Sequence, residues 1–144
     1  MSVPLHKRSE NKLDAYVKTL AMVKYTMQMI ENEKLFPKKS RWNLASKIAD
    51  NCLDSLTEIR QANKIQAKTE EQAKFRLKLQ FDVLLHFDAL WGLMTVAYES
   101  YCIPSNKIET WCNLLQDAED KVSAWRRYDT KRFSEEFKIW SRFI

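Results

Sequence analysis

The sequence predicts an all-α protein, an up-down-up-down antiparallel four-helix bundle with a short extra C-terminal helix, and three observations point to it. The 144 residues include one glycine, Gly92, and three prolines, Pro4, Pro37 and Pro104, so the tight positive-φ turns that β-sandwiches and barrels rely on have almost no residues to form them. A composition of 45% apolar and 30% charged residues suits amphipathic helices. Apolar side chains also recur at three- and four-residue steps, in long blocks separated by proline or by polar stretches. The length fits one domain, with the bundle over 1–128 and a helical extension over 129–144.

Helix one is expected over 11–35, where Leu13, Tyr16, Val17, Leu20, Val23, Met27 and Ile30 form one stripe. Pro37 pushes Phe36 out of the α region, so the helix stops near Leu35, and Ser40 is the expected cap of the next. Helix two spans 41–63, with Ala45, Ile48, Cys52, Leu56 and Ile59 inward and Lys47, Asp54, Glu58 and Arg60 outward; the short loop makes the pair antiparallel. Thr69, followed three residues later by Gln72, has the pattern of a capping box and opens helix three over 70–101. Its centre, with Leu84, Leu85, Phe87, Leu90, Trp91, Leu93, Met94 and Val96, is apolar around most of its circumference. A bundle helix needs a stripe only about 100° wide, so the surplus predicts a second apolar interface with another subunit, assigned to Trp91, Gly92 and Met94. Gly92, costly inside a helix, is expected to admit the close approach of a neighbouring helix. Cys102 to Pro104 end helix three, and Ser105 is the expected cap of helix four, 105–128. Ile108, Trp111, Leu115, Ala118, Val122 and Trp125 form its bundle seam. After Asp129, the residues Phe133, Phe137, Trp140 and Phe143 or Ile144 suggest a short fifth helix, with Ser134 as its cap.

Several chemistries are excluded or unsupported. One glycine cannot write a P-loop or a dinucleotide-binding fingerprint. Cys52, Cys102 and Cys112 are odd in number and lack CxxC spacing; they read as small apolar core residues in a reducing cytoplasm rather than as a disulfide or zinc framework. The start of the chain has no apolar signal core, and the most apolar stretch, Val83 to Tyr98, is broken by His86 and Asp88, so no membrane span is expected. The two histidines, His6 and His86, have no ligand set around them, and neither a metal nor a cofactor is expected. Asp82 and His86 share a helix face at a spacing that would orient an imidazole for proton transfer, with an interhelical polar contact as the alternative. No serine or cysteine sits in a nucleophile setting, so a non-catalytic role is expected.

The net charge of +5 is uneven, being +5 over residues 1–50, −1 over 51–100 and +1 over 101–144. Cations gather where helices end. Lys34, Lys38, Lys39 and Arg41 lie at the first loop, Arg60, Lys64 and Lys68 at the second, and Arg126, Arg127, Lys131 and Arg132 after helix four. In the predicted topology the second loop, the end of helix four and Lys7, Arg8 and Lys12 share one end, a surface suited to phosphate. Cations at helix C-termini also offset the helix dipole and keep a bundle soluble, so charge alone leaves both readings open. Trp42 and Tyr128 interleave with these cations, either to stack on bases or to pack at the helix ends.

The run Phe36-Pro37-Lys38-Lys39-Ser40-Arg41-Trp42-Asn43-Leu44, continuing through Ile48 and Leu56 to Ala62-Asn63-Lys64, resembles the first-loop and second-helix signature of a bacterial four-helix-bundle family. That family includes the accessory variability determinant (Avd) proteins of diversity-generating retroelements and bundle proteins encoded in ribosomal-RNA intervening sequences. Ile103-Pro104-Ser105, before a helix closing on Ala124-Trp125, is similar to the Avd pattern too, and the likeness runs from Leu13 to Arg127. The resemblance implies a basic homo-oligomer, a pentamer in the Avd group, that binds template RNA or DNA and a reverse transcriptase in support of mutagenic cDNA synthesis and retrohoming. Catalysis would belong to the polymerase. Lys38 and Arg41 stand in the FPKxxR element and Lys64 in the A-N-[KR] element; the glycines usual before the helix-four tryptophan are replaced by Lys121, Val122, Ser123 and Ala124. The nucleic-acid-binding set is therefore Lys38, Lys39, Arg41, Arg60, Lys64, Lys68, Arg126 and Arg127. The alternative is an oligomerising scaffold of the intervening-sequence type without a polymerase partner.

Overall fold

A computed structural model describes the backbone of residues 5–138 and the side chains of residues 14–138. Four helices, α1 (Leu5–Glu31), α2 (Leu44–Lys64), α3 (Glu70–Ser100) and α4 (Ser105–Phe137), make the fold, with no strand among the described residues. Helices α1 and α3 each pack against α2 and α4, while the diagonal pairs do not meet. Three side-chain contacts tie neighbouring helices together. The Tyr25 hydroxyl donates to the Lys107 carbonyl at 3.3 Å, Arg60 lies over the Tyr16 ring, and Arg126 donates to the Leu77 carbonyl at 3.2 Å.

Helix ends follow local hydrogen bonding. Thr69 and Gln72 form the expected capping box of α3, each side chain accepting from the other's backbone N–H at 3.2 Å. Other ends depart from expectation, beginning with α1, which starts at Leu5 rather than at residue 11. Helix α1 stops at Glu31 because the Asn32 side chain accepts from the Lys34 N–H while its carbonyl accepts from Leu35 and Phe36, turning the chain before Pro37 acts. Ser40 is buried in a short 3-10 turn, Lys38–Ser40, where its hydroxyl donates to the Pro37 carbonyl; Asn43 caps α2 instead. Ser105 is already inside α4, whose N-cap is Pro104.

A separate fifth helix beginning after Asp129 is not what the described residues form. Helix α4 continues unbroken to Phe137, Ser134 lies within it, and Asp129 and Phe133 are buried, so the boundary at 128 does not exist in the fold. Phe133 packs with Ala73 and Leu77 of α3. Trp140, Phe143 and Ile144 lie outside the described residues.

The main core joins all four helices through Met22, Ile48, Phe87, Leu90, Trp111, Leu115 and Trp125. Its polar members are what the apolar pattern hid. On α1 the buried residues are Ala15, Thr19, Met22, Val23, Thr26 and Met29; Val23 belongs to the expected stripe, the others lie one residue away from its members, and Val17 faces solvent. Thr26 accepts from the Trp111 indole N–H at 2.8 Å and donates to the Met22 carbonyl at 2.7 Å. At the opposite end of the core, Arg76 Nε and Gln80 Nε2 both donate to Asp129 Oδ2, at 2.8 and 2.7 Å, with all three residues buried. Arg76 also donates to the Ile65 carbonyl and lies over the Trp125 ring. Paired and hydrogen-bonded this way, the two charges tolerate burial; either one alone would not.

Candidate nucleic-acid interface

The seam of α4 turns Trp111, Leu115, Ala118, Val122 and Trp125 inward, so residues offset from it around the helix form an outer face. Ser123, Arg126, Arg127, Thr130, Lys131 and Ser134 fall on that face and, with Leu84 of α3, line an open groove of about 620 Å³. Three cations and three hydroxyls line it without a carboxylate among them. Arg126 is half-buried, its Nε on the Leu77 carbonyl and its guanidinium 5.2 Å from the Phe81 ring, and burial lowers its pKa. Arg127 and Lys131 are exposed. Arg132, grouped with them by sequence, turns elsewhere: it lies 3.4 Å from Asp129 Oδ1 and stacks on Phe133.

Of the eight cations assigned to nucleic acid, Arg126 and Arg127 enter this groove and the other six do not; Lys131, grouped with them by charge, enters it as well. Exposed Arg60 stacks on Tyr16 of α1, on the α1–α2 side of the bundle, opposite the α3–α4 side that carries the groove. Lys64 and Lys68 are exposed around the second loop. Lys38, Lys39 and Arg41 stand at the other end of α2, about 30 Å away for a helix of 21 residues. The eight residues therefore do not form one patch. The contribution of Lys7, Arg8 and Lys12 lies outside the described side chains.

The first-loop end is built around Phe36, which is buried edge-on against Tyr101 and Trp111 at centroid separations of 5.6 and 6.1 Å. Lys38 and Arg41 both reach Glu33, at 3.6 and 3.9 Å, in exposed pairs of small energetic worth. Trp42 does not pack at a helix end; it is 88% exposed, beside a cleft of about 400 Å³. Tyr128 is half-buried under Arg132.

The predicted oligomer residues are corrected in part. Met94 is 3% exposed and belongs to this chain's own core, and Trp91 is half-buried with its indole N–H on Glu119 of α4 at 3.1 Å. Met94 therefore presents no free surface to a second copy, while Trp91 keeps part of its ring exposed. Gly92 is exposed and a Cβ there would meet nothing within 4 Å, so no helix of this chain approaches it. The exposed large hydrophobic side chains of α3 are Phe75, Phe81, Leu85, Val96 and Tyr98, each between 42% and 56% exposed, and of these Phe81, Leu85 and Val96 share one face. Sequence reading could not separate them from the buried set, because both faces of this helix are apolar.

Asp82 and His86 do not form a dyad. Asp82 accepts from Lys78 at 2.9 Å, while the His86 ring nitrogens lie 2.9 Å from Asn51 and 3.3 Å from Glu58, tying α3 to α2. Cys52 is buried, Cys112 is half-buried and Cys102 is exposed, so the reading of all three as core residues holds for Cys52 and fails for Cys102. Among the described residues no group of three or more His, Cys, Asp or Glu comes together as a metal site, and no helix is long and apolar enough to cross a membrane. No known protein family, curated protein or solved structure matches the chain.

Proposed function

We propose that this chain is a non-catalytic, nucleic-acid-binding accessory protein of the Avd type, an up-down-up-down bundle that assembles into a homo-oligomer and docks a reverse transcriptase with its template RNA in the cytoplasm. The observation that carries the reading is the α4 groove, where Arg126, Arg127 and Lys131 alternate with Ser123, Thr130 and Ser134 along the lining. Cations supply the long-range attraction to a phosphate backbone and hydroxyls donate to its oxygens, the two kinds of interaction that position a nucleic acid without reading its sequence. The Phe36-to-Leu44 resemblance supplies the partner and the process, with a pentamer as the implied assembly.

The test is RNA binding as a function of salt. Arg127→Glu with Lys131→Glu should weaken binding and flatten the salt slope by about one for each phosphate that is no longer neutralised, leaving the oligomer intact by light scattering. Binding that ignores both salt and this pair of substitutions overturns the reading. A second reading, a scaffold of the intervening-sequence type, is favoured by the Phe81, Leu85 and Val96 stripe on α3, which needs a partner surface but no nucleic acid. It predicts that Leu85→Glu dissolves the assembly while wild-type protein binds no RNA.

A further inference from the structure

Trp42 is the least buried large apolar residue among the described side chains, at 88% exposure, and the loop that carries it is fixed on both sides. Phe36 is sunk in the core before it, the Ser40 hydroxyl closes the turn on the Pro37 carbonyl, and Asn43 caps α2 directly after it. The backbone is thus anchored while the indole stays in water, and a tryptophan left out of a core forgoes one of the largest burial gains available to any side chain. Its neighbours Lys38, Lys39 and Arg41 are all exposed, and Lys39 pairs with no carboxylate among the described residues. Lys38 and Arg41 line the cleft beside Trp42 together with Glu31 and Glu33, and an aromatic face with cations beside it complements a polyanion that carries aromatic faces of its own.

We infer that Trp42 is a stacking platform for an unpaired nucleobase, with Lys38, Lys39 and Arg41 on the flanking phosphates, so that the first-loop end selects single strands over duplex. The inference rests on the nucleic-acid reading above and adds a second point of attachment at the opposite end of the bundle from the α4 groove. A base inside a duplex has both faces covered by its neighbours; only an unstacked base can meet the indole. Glu33, shared by Lys38 and Arg41, is displaced from them when a phosphate arrives, and the exposed pairs it leaves are weak ones.

The experiment measures binding of the full chain to a short labelled oligo(U) strand and to a blunt RNA duplex of equal length. Trp42→Ala should weaken strand binding roughly tenfold with duplex binding unchanged, and Trp42→Phe should retain most of it. The salt slope should stay constant, because the same phosphates are neutralised in both variants. Strand binding should also quench wild-type indole emission more than that of Trp42→Phe. The inference is overturned if Trp42→Ala binds the strand as wild type does, loses strand and duplex equally, or loses only a protein partner. Wild-type protein that binds neither strand nor duplex overturns the nucleic-acid reading itself.

Discussion

The Trp111 indole N–H donates to the hydroxyl of Thr26 at 2.8 Å, joining α4 to α1 across 85 residues of sequence inside a core where both side chains are fully buried. Thr26→Val keeps the shape and removes the acceptor, leaving a buried N–H without a partner. The expected loss is about 1–3 kcal/mol of unfolding free energy, measured by urea denaturation, with Thr26→Ser losing less because it keeps the oxygen.

The Arg76 and Asp129 pair predicts an asymmetric mutational response. Asp129→Ala strands the guanidinium in a site where Arg76 is 4% exposed, and the fold should lose about 3–5 kcal/mol. Arg76→Leu with Asp129→Leu removes both charges and should recover most of that loss. A double variant no more stable than Asp129→Ala alone would show that the charges matter beyond their mutual compensation.

Burial pushes the Cys52 thiol from 9.0 up to about 12, opposed by the Thr26 hydroxyl, which lowers it. The folded chain therefore holds this proton more tightly than the unfolded one. The thiol's contribution is whole below about pH 9 and is lost as pH rises toward about 12. The stability difference between wild type and Cys52→Ala should accordingly shrink over that interval. Alkylation with iodoacetamide at mildly alkaline pH should label exposed Cys102 first and spare Cys52 in the native state.

Gly92→Ala should stabilise the chain by about 0.5–1 kcal/mol, since the position is exposed, helical and open around a new Cβ. Thermal unfolding at low protein concentration checks this. If a second copy approaches α3 at Gly92, the same substitution will also shift the assembly toward smaller species in light scattering, which a purely local effect would not do.

The helical class and the four bundle helices are legible in the sequence because period, proline and the Thr69 capping box all agree, whereas the expected fifth helix is the continuation of α4. What escapes it is the polar part of the interior. Thr19 and Thr26 rotate the buried face of α1 away from its most apolar reading, and Asp129 interrupts the α4 seam at the point where the local pattern suggests a new helix. For Thr26 and Asp129 a hydrogen bond or ion pair across the bundle, absent from any local pattern, accompanies the burial. The basic groove is half legible. Arg126, Arg127 and Lys131 are evident as charge, whereas the placing of Lys131 on one helix face with them, beside Thr130 and Ser134, follows only once α4 is known to continue past residue 128. For Trp42 the sequence allows either stacking or packing at a helix end; its exposure depends on Phe36, not Trp42, filling the space at that end of the core.

The layer of Arg76, Gln80 and Asp129 has a consequence for how the helices are phased along their axes. Leucine, isoleucine and methionine seams are nearly degenerate, and two such helices displaced by one turn, about 5.4 Å, still mate apolar surface with apolar surface. A one-turn slip of α4 against α3 would carry the Asp129 carboxylate away from both its donors and leave two buried charges facing hydrocarbon. The ion pair thus works as an indexing pin. It penalises every alternative sliding position, holds the 33-residue α4 at one height, and so keeps the cations and hydroxyls on its outer face at fixed spacing along the molecule.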